Sequence, residues 1–428
     1  MKNRSAIAAA GHKFRTKNIS KRVQKIVISP IKEMSILADQ LEEKIGHGKI
    51  ISFGQGIPYL DTPFYIKKAA RIALNQLSTA QYTLEPGINE LRNLIAKDLE
   101  RTKKIKNIKP KKEIMVTVGC QEAMACALAS TIDPGDEVLL TSPAYASETE
   151  QIIQFGGIPK FVPLVEKNLP AGRQGGWCLN IEGFEKSITK KTKAIILCNP
   201  SNPTGAVFNE KEIRALAKII KRRNLILITD ETYDFLVYDG IKYFSAASIK
   251  SISDRVILCG SFSKKYRMTG YRIGYAFADE GIIDHMLKVH DALAICAPAI
   301  SQKAVIGALK DGKNSRKSVK EIVRKMDSNR KLMCQELDKM KDIFEYQKPK
   351  GAYYILAKIK IPKINSFKLA LKILREAHII VIPGAAFGPT GEGHLRFSFA
   401  GEPENIIKGF QRLNSWFRNW QKENYKLF

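Results

Sequence analysis

The sequence predicts an α/β protein with a large domain on a mostly parallel sheet of seven strands and a smaller α+β domain. Three observations lead to this prediction. Between residues 113 and 278, seven short runs rich in Ile, Val and Leu alternate with helical stretches, as in parallel strands joined by crossover helices. After residue 300 the alternation gives way to longer helices and scattered short strands. The 428 residues suffice for about two or three domains.

The seven strand candidates are short, and most are bounded by Gly, Pro, Asn or Asp, which are common turn residues. The predicted strands cover residues 113–118, 137–141, 159–165, 193–198, 224–229, 255–259 and 273–278. Helices are predicted between them near 120–131, 145–155, 209–222 and 281–294. The third helix follows Asn209 and has two acids in its first turn, which suits a helix N-terminus.

The C-terminal part predicts a smaller domain. A long charged helix is expected over 313–341, with further helices near 366–376 and 403–420 and strands around 351–357, 378–382 and 394–399. Residues 165–178 are rich in Gly and lack periodicity, so we expect a surface loop. The predicted division is a basic tail at 1–20, an N-terminal arm that joins the small domain at 21–48, a large domain at 49–300 and a small domain at 301–428.

The composition excludes several classes of protein. Hydrophobic residues make up 44% of the chain, too many for a disordered protein. The longest apolar stretches, such as 194–198 and 379–382, are far shorter than the roughly 18 residues of a membrane-spanning helix. The 7 cysteines include no CxxC pair. We therefore expect no zinc ribbon or other metal site, no disulfide framework and no membrane partner, and predict a cytoplasmic protein.

The chain is strongly basic, with a formal net charge of +28, and such a field attracts polyanions. Residues 1–32 contain nine basic side chains and no acid, and residues 101–112 contain seven more. No base-stacking or nucleic-acid reading module accompanies the charge, so we expect solvated basic faces and no specific nucleic-acid partner. A transit peptide at 1–20 is less favoured, because the segment is Lys-rich and lacks an amphipathic period.

The segment SFSKKYRMTGYRIG at 261–274 carries the clearest chemical signal. Lys264 follows a predicted strand and stands among hydroxyl side chains, with Arg272 eight residues later and a glycine between them. This arrangement suits a lysine that forms a Schiff base beside an anion-binding arginine. A lysine after a strand is by itself more typical of a solvated surface than of a catalytic site, so the interpretation depends on the other segments.

Three other segments each follow a predicted strand. NPSNPTG at 199–205 forms a rigid turn that can direct one amide side chain into a cleft. Asp230 stands at a strand's carboxyl end, where ligands of open α/β sheets bind, and Tyr233 follows three residues later. Residues 118–123 combine a strand end, a glycine turn and a helix N-terminus, which is a potential phosphate site.

At these residues the sequence resembles the pyridoxal-phosphate-dependent aminotransferases of classes I and II, which have fold type I. The resemblance extends over about residues 20–409, and the motifs SxSK…GxRxG and NPxNPTG occur in the family's order. It implies a homodimer that uses pyridoxal 5′-phosphate to move an amino group from an amino acid to a 2-oxo acid by a ping-pong mechanism.

The resemblance also implies the catalytic residues, which are Lys264, Asp230 and Tyr233. Lys264 resembles the lysine that binds the cofactor covalently and then moves the substrate's proton. Asp230 resembles the acid that keeps the ring nitrogen protonated, so that the ring can accept electrons. Tyr233 and Asn202 match the pair that bonds the phenolic oxygen of the ring, and Asn202 also matches a substrate contact.

The resemblance assigns further residues to the phosphate, the ring and the substrate. Arg272 and Ser261 match phosphate-binding side chains, and Arg396 in HLRFS matches the arginine that binds the substrate α-carboxylate by two parallel bonds. Tyr145 matches the aromatic ring that stacks on the cofactor, and Tyr82 matches the tyrosine that reaches the phosphate in the neighbouring subunit. The other residues implied are Gly119, Cys120 and Gln121 at the phosphate turn and Gly56 beside Arg396.

Several departures from the family pattern leave the amino donor open. Arg267 stands where a small or apolar residue is usual, and Glu148 replaces a frequent second aromatic residue. Gln121 stands where the aspartate-specific branch carries a lysine, so that branch is disfavoured. The acceptor expected by analogy is 2-oxoglutarate.

Three alternative functions differ in what they require of the sequence. A carbon–sulfur lyase or another eliminating enzyme would use the same fold and lysine and stays open. A DNA-binding regulator would need a winged-helix module, for which the basic segment of roughly 30 residues before the fold is too short. A cofactor-free binding protein is disfavoured because the expected cofactor-binding residues are all present.

Overall fold

The computed structural model describes residues 19–26, 29–167, 175–361 and 364–425. Its strands are β1 (Ile51–Ser52), β2 (Ile114–Thr117), β3 (Glu137–Ser142), β4 (Ile158–Pro163), β5 (Val165–Lys167), β6 (Gly176–Cys178), β7 (Thr192–Cys198), β8 (Ile226–Asp230), β9 (Val256–Ser261), β10 (Gly274–Phe277), β11 (Phe344–Tyr346), β12 (Tyr354–Ile359), β13 (Ile379–Ile380), β14 (Ile382–Pro383) and β15 (His394–Ser398). Most of the predicted basic tail, residues 1–18, lies outside the described residues.

Helices alternate with these strands along the described chain. They are α1 (Pro30–Ile45), α2 (Phe64–Leu74), α3 (Asn89–Lys103), α4 (Pro110–Glu113), α5 (Gly119–Thr131), α6 (Ala146–Gln154), α7 (Ile181–Ser187), α8 (Glu210–Arg223), α9 (Glu280–Ala294), α10 (Ala299–Lys310), α11 (Gly312–Asp338), α12 (Ser366–Lys372) and α13 (Pro403–Tyr425). Within these residues, no helix is both long and apolar enough to cross a membrane.

The predicted seven-stranded sheet is confirmed, with the order β2-β10-β9-β8-β7-β3-β4. The strands from β9 to β4 are parallel, and β10 is antiparallel to both of its neighbours. Every residue of β2 and β3 is buried, as expected for strands covered by helices on both faces. The predicted strand ends agree with the observed ones within two residues, and the ends of α5, α6, α8 and α9 agree within one.

The C-terminal part forms a second sheet with the order β11-β12-β15-β14. The strand expected at 378–382 is two short strands, because β13 pairs with β1 whereas β14 pairs with β15. The helix expected over 313–341 ends at Asp338. The helix expected at 366–376 ends as a π turn over Ile373–Ala377, and the last helix continues to Tyr425.

The packing groups chain segments that are distant in sequence. Ile51 and Phe53 are buried in one cluster with the C-terminal sheet. Helix α10 packs on α2 and α3, and its Val305 is buried in the main core with Ile95. The predicted domain limits, including those at residues 48 and 300, remain predictions.

The loop expected at 165–178 is wrong at its two ends, where β5 and β6 pair as antiparallel strands. Trp177 lies half-buried against the main core, and its ring centroid is 6.3 Å from that of His394. Sequence reasoning missed this pairing because the high glycine content is typical of a loop. A single aromatic side chain, here that of Trp177, can hold the end of a short hairpin against the core. Residues 168–174 lie outside the described part of the chain.

Candidate functional site

A cavity of about 640 Å³ opens at the carboxyl ends of the central strands. Cys198, Asp230 and Ser261 end β7, β8 and β9 and line this cavity, at the edge where open α/β sheets bind ligands. The structure brings together eleven of the residues singled out in the sequence: Gly56, Cys120, Gln121, Tyr145, Asn202, Asp230, Tyr233, Ser261, Lys264, Arg272 and Arg396.

Lys264 follows β9 and points its amine into the cavity. Its Nζ donates a hydrogen bond to the carbonyl oxygen of Gly56 at 2.6 Å. Burial, together with the positive charges of Arg272 and Arg396, lowers the pKa of Lys264 to about 8, and Asp230 opposes the shift. A substantial fraction of the amine is therefore neutral near physiological pH, as a nucleophile or a general base requires.

Asp230 is a buried carboxyl group held by neutral donors. Its Oδ1 accepts a hydrogen bond from the Thr232 backbone N–H at 3.0 Å and lies 3.5 Å from Cys120 Sγ. Burial raises the pKa of Asp230, and hydrogen bonds from Thr232 and Cys120 oppose this. Within the described chain Asp230 forms no ion pair, so its charge can be satisfied by a cationic group of a ligand.

The turn between β2 and α5 closes on Arg272. Gly119 has a φ of +78°, and a Cβ atom at this position would lie 2.4 Å from Arg272 Nη2. A Cβ atom on Gly274 would lie 2.6 Å from the Gly119 carbonyl carbon. The two glycines therefore let the guanidinium group approach the N-terminus of α5, where backbone N–H groups and a positive charge together favour a phosphate.

A buried pair behind this turn was not singled out from the sequence. Glu122 accepts a hydrogen bond from the Val118 backbone N–H at 2.5 Å, and its Oε1 lies 3.0 Å from His290 Nδ1. His290, on α9, is fully buried. The pair fixes the start of α5, and it depends on a contact between residues 168 positions apart, for which the sequence gives no local signal.

Arg396 is a buried guanidinium group without an acidic partner among the residues described. Nη1 donates to Asn202 Oδ1 at 3.0 Å, and Nη2 donates to the carbonyl oxygen of Gly54. The group stacks over the rings of Tyr354 and Phe387 at 4.4 and 4.9 Å. Its Nε has no hydrogen-bond partner in the described residues, which leaves capacity for the carboxylate of a ligand.

Two tyrosines that sequence reasoning missed support the inner wall, and one of them, Tyr354, lines the cavity. Tyr354 Oη lies 2.8 Å from Tyr233 Oη, and Tyr353 Oη donates to the Gly56 carbonyl oxygen at 2.6 Å. A Cβ atom on Gly56 would lie only 1.9 Å from Tyr354 Oη. The glycine therefore permits this close packing. Both tyrosines lie in a predicted strand with no chemical motif around them.

The outer wall comes from α1, which contributes Ile31, Lys32, Ser35 and Ile36, and which the sequence did not assign to the site. Tyr145 lies on another wall, and burial raises its pKa to about 12. Two predicted residues do not line the cavity. Gly119 lies behind Arg272, and Tyr82 is 77% exposed on the surface.

Residues 48–413 match the model of the family described as aminotransferase class I and II. The chain is 37% identical over 375 residues to an aspartate aminotransferase of Pyrococcus abyssi, covering 87% of this chain and 93% of the relative. It is 34% identical over 395 residues to aromatic-amino-acid aminotransferase 2 of Thermococcus litoralis, covering 92% and 97%.

Two solved structures share the fold. An aromatic aminotransferase from Pyrococcus horikoshii has a TM-score of 0.81 and 36% identity, covering 90% of this chain and 99% of that chain. An aspartate aminotransferase from Thermus thermophilus, solved with maleate, has a TM-score of 0.84 and 30% identity, covering 93% and 99%.

Proposed function

The chain belongs to the aminotransferase class I and II family, and we propose that it acts on amino acids with apolar or aromatic side chains in sites that two subunits build together. As a pyridoxal-phosphate-dependent aminotransferase, it moves an amino group from an amino acid to a 2-oxo acid in two half-reactions. The lyase alternative is not favoured, because the relatives described above carry aminotransferase names.

The cavity fits pyridoxal phosphate group by group. The buried Asp230 carboxyl, without an ion pair in the described chain, suits the protonated ring nitrogen. Arg272 beside the N-terminus of α5 suits the phosphate. The amine of Lys264 suits the covalent attachment. We propose that Cys120, Gln121, Tyr145, Asn202, Tyr233 and Ser261 make the remaining contacts, and that Gly119 shapes the turn that holds Cys120 and Gln121 there.

The proposed mechanism assigns one task to each charged group. When bound, pyridoxal phosphate supplies an electron sink for the negative charge that forms at the substrate Cα. Lys264 Nζ takes the proton from Cα, and its lowered pKa, about 8, suits a general base. Arg396 binds the α-carboxylate and thereby orients the Cα–H bond toward Lys264. The observation that carries the proposal is that both groups face one cavity with Asp230.

The outer wall supports an apolar or aromatic donor. Ile36 and Ile57 line the mouth of the cavity and are 43% and 51% exposed, so a substrate side chain would cover apolar surface there. Gln121 cannot supply a positive charge, and its side-chain Oε1 accepts a hydrogen bond from Gln151 at 2.9 Å. Lys32 lies in the same wall and favours an acidic donor as the second candidate.

We expect phenylalanine and leucine to be better donors than aspartate, and Ile36→Ser to lower kcat/KM for phenylalanine about tenfold, because one apolar contact is worth that order of discrimination. The measurement is the first half-reaction, followed by the change in cofactor absorbance. Ile158→Ser is the matched control, since Ile158 is 42% exposed outside the cavity. Aspartate as the best donor, with a selective loss in Lys32→Gln, would support the acidic candidate instead.

An exposed apolar surface supports the proposed homodimer. Between residues 64 and 84, six large apolar or aromatic side chains are more than half exposed, which marks an interaction site when such residues form a patch. These residues are Phe64, Ile72, Leu74, Leu77, Tyr82 and Leu84. Tyr82 lies among them and outside the cavity of its own chain, and we propose that its hydroxyl reaches the phosphate site of the partner subunit.

Charge placed on this surface should dissociate the dimer. We expect Leu74→Glu combined with Leu77→Glu to sediment as a monomer with reduced activity, because the interface would bury two unpaired charges. Ile158→Glu places a charge on an exposed isoleucine elsewhere and should remain a dimer. Tyr82→Phe should keep the dimer and weaken cofactor binding. A fully active monomer at assay concentration would contradict the shared site.

The cytoplasm is the compartment that we propose. All seven cysteines are free thiols, as is usual in a reducing compartment. Several basic side chains of the 101–112 segment are solvated or pair with acids nearby, as Lys112 does with Glu280. We expect at most weak, salt-sensitive binding to polyanions from such a surface.

A further inference from the structure

Glu148 is a buried acid beside the site whose role the mechanism above does not explain. It is the third residue of α6 and only 3% exposed. Its Oε1 has no hydrogen-bond partner among the residues described. Buried polar atoms without a partner are rare in native proteins, and each needs an explanation.

The carboxyl group of Glu148 lies next to that of Asp230. One oxygen of each carboxyl group and the Sγ of Cys198 all lie within 4.8 Å of one another. Cys198 and Asp230 are partners on the adjacent strands β7 and β8. From α5, Cys120 reaches Asp230 with its thiol at 3.5 Å. The cations that line the cavity are Lys32, Lys264, Arg272 and Arg396, and within the described chain none of them forms an ion pair with Glu148.

Two buried carboxyl groups this close, with no cation of the described chain paired to either of them, resist ionising together. Burial and the neighbouring Asp230 raise the pKa of Glu148 well above its usual range, and the Tyr145 backbone opposes the shift. Asp230 has an additional donor in the Thr232 N–H, which favours its ionised form. Both observations favour Glu148 as the member of the pair that carries the proton.

We propose that Glu148 is a positioning residue that holds the proton of a carboxyl–carboxylate pair with Asp230 and thereby keeps Asp230 ionised opposite the ring nitrogen of the cofactor. The inference rests on the role proposed above for Asp230. No hydrogen bond joins the two carboxyl groups among the described residues, so the pair would close by a rotation of the Glu148 side chain that brings its proton onto the Asp230 carboxylate. A hydrogen bond to the charged form stabilises that form. Glu148 would thus act on the cofactor only through Asp230.

Infrared spectroscopy of the full chain at neutral pH tests the location of the proton directly. We expect a carboxylic-acid stretch that shifts in D₂O and disappears in Glu148→Gln. Glu137→Gln is the matched control, because Glu137 is also buried but lies at the opposite end of β3, where Thr189 and Lys160 lower its pKa. A protein in which Glu148 contributes a carboxylate signal would overturn the proposal.

The pH profile of pyridoxal phosphate binding tests the consequence. Glu148→Gln keeps a neutral donor of the same shape and should leave the profile unchanged. Glu148→Leu removes the donor, so Asp230 should remain protonated to higher pH. The acidic limb of the profile, where binding is lost as the pH falls, should therefore move to higher pH. For each pH unit of this shift, binding at the acidic end should weaken about tenfold, and it should recover as the pH rises. Glu137→Leu should cost stability without moving the limb. An unmoved limb in Glu148→Leu would overturn the proposal.

Asp230→Asn separates this inference from the proposed function on which it rests. If Asp230→Asn binds the cofactor like the wild type, the role of Asp230 fails and the role of Glu148 fails with it. If Asp230→Asn loses binding while Glu148→Leu keeps the wild-type profile, only the role of Glu148 fails. Loss of binding in Asp230→Asn with a shifted limb in Glu148→Leu would support both.

Discussion

Replacing Lys264 with alanine is expected to abolish transamination, with kcat lowered by at least about 10²–10⁴-fold, the usual contribution of a positioned general base. The amine lies in the cavity with a pKa near 8, and its removal also removes the point of covalent attachment. The measurement is the steady-state rate with a good donor. Borohydride reduction followed by peptide mapping should find the reduced cofactor attached to Lys264 in the wild type. The variant should carry no cofactor label at this position.

The adjacent lysine provides a matched control. Lys265 Nζ pairs with Asp98 at 2.8 Å, and this side chain does not line the cavity. Lys265→Ala removes a cation from beside the mostly buried carboxylate of Asp98. We therefore expect the free energy of unfolding to fall by about 3–5 kcal/mol, the cost of breaking a buried ion pair. The folded fraction should retain its turnover. Wild-type rates in Lys264→Ala would contradict the assignment.

The lowered pKa of Lys264 has a second measurable consequence. Only the neutral amine can attack the aldehyde of pyridoxal phosphate. Below a pH of about 8 the protonated form dominates. The rate of covalent capture by the cofactor-free protein should therefore rise with pH and level off above that value. A rate independent of pH through this range would show that the amine is not the group that titrates.

The sequence predicted the elements that have a repeated local pattern. The strands of the main sheet are apolar runs bounded by turn residues, and their ends could be placed within two residues. Strands of two residues carry no period, so β1 was not predicted and the break between β13 and β14 was missed. The hairpin of β5 and β6 depends on the contact of Trp177 with the core, which no local pattern reveals.

As with the fold, local motifs predicted some residues of the site, whereas others reach it only through contacts between segments that are distant in sequence. Lys264, Asp230 and Asn202 each lie in a segment whose residues follow a strand, and such segments converge at one sheet edge. The wall from α1 and the paired tyrosines 353 and 354 could not be inferred, because their own segments contain no motif that indicates a binding site. The bond between Arg396 and Asn202 joins residues 194 positions apart. Its geometry follows from the tertiary fold.

The second large effect is expected at Arg396. Its guanidinium group donates to Asn202 and to Gly54 from its two terminal nitrogens and stacks on Tyr354. Lysine keeps the charge but lacks the planar fork, so it cannot maintain both bonds and also bind a carboxylate by two parallel bonds. We therefore expect Arg396→Lys to lose about 2–5 kcal/mol of transition-state stabilisation, measured as kcat/KM. Cofactor content and absorbance should remain those of the wild type.

Arg330 is the matched control for this substitution. It is also fully buried and stacks over a tyrosine, Tyr238, at 4.4 Å, but it pairs with Asp239 outside the cavity. Arg330→Lys should lower the free energy of unfolding and leave kcat/KM of the folded enzyme unchanged. The loss in Arg396→Lys should appear with every donor, because all donors share the α-carboxylate. A loss confined to acidic donors would instead place Arg396 on a side-chain carboxylate, and the α-carboxylate would require a different partner in the cavity.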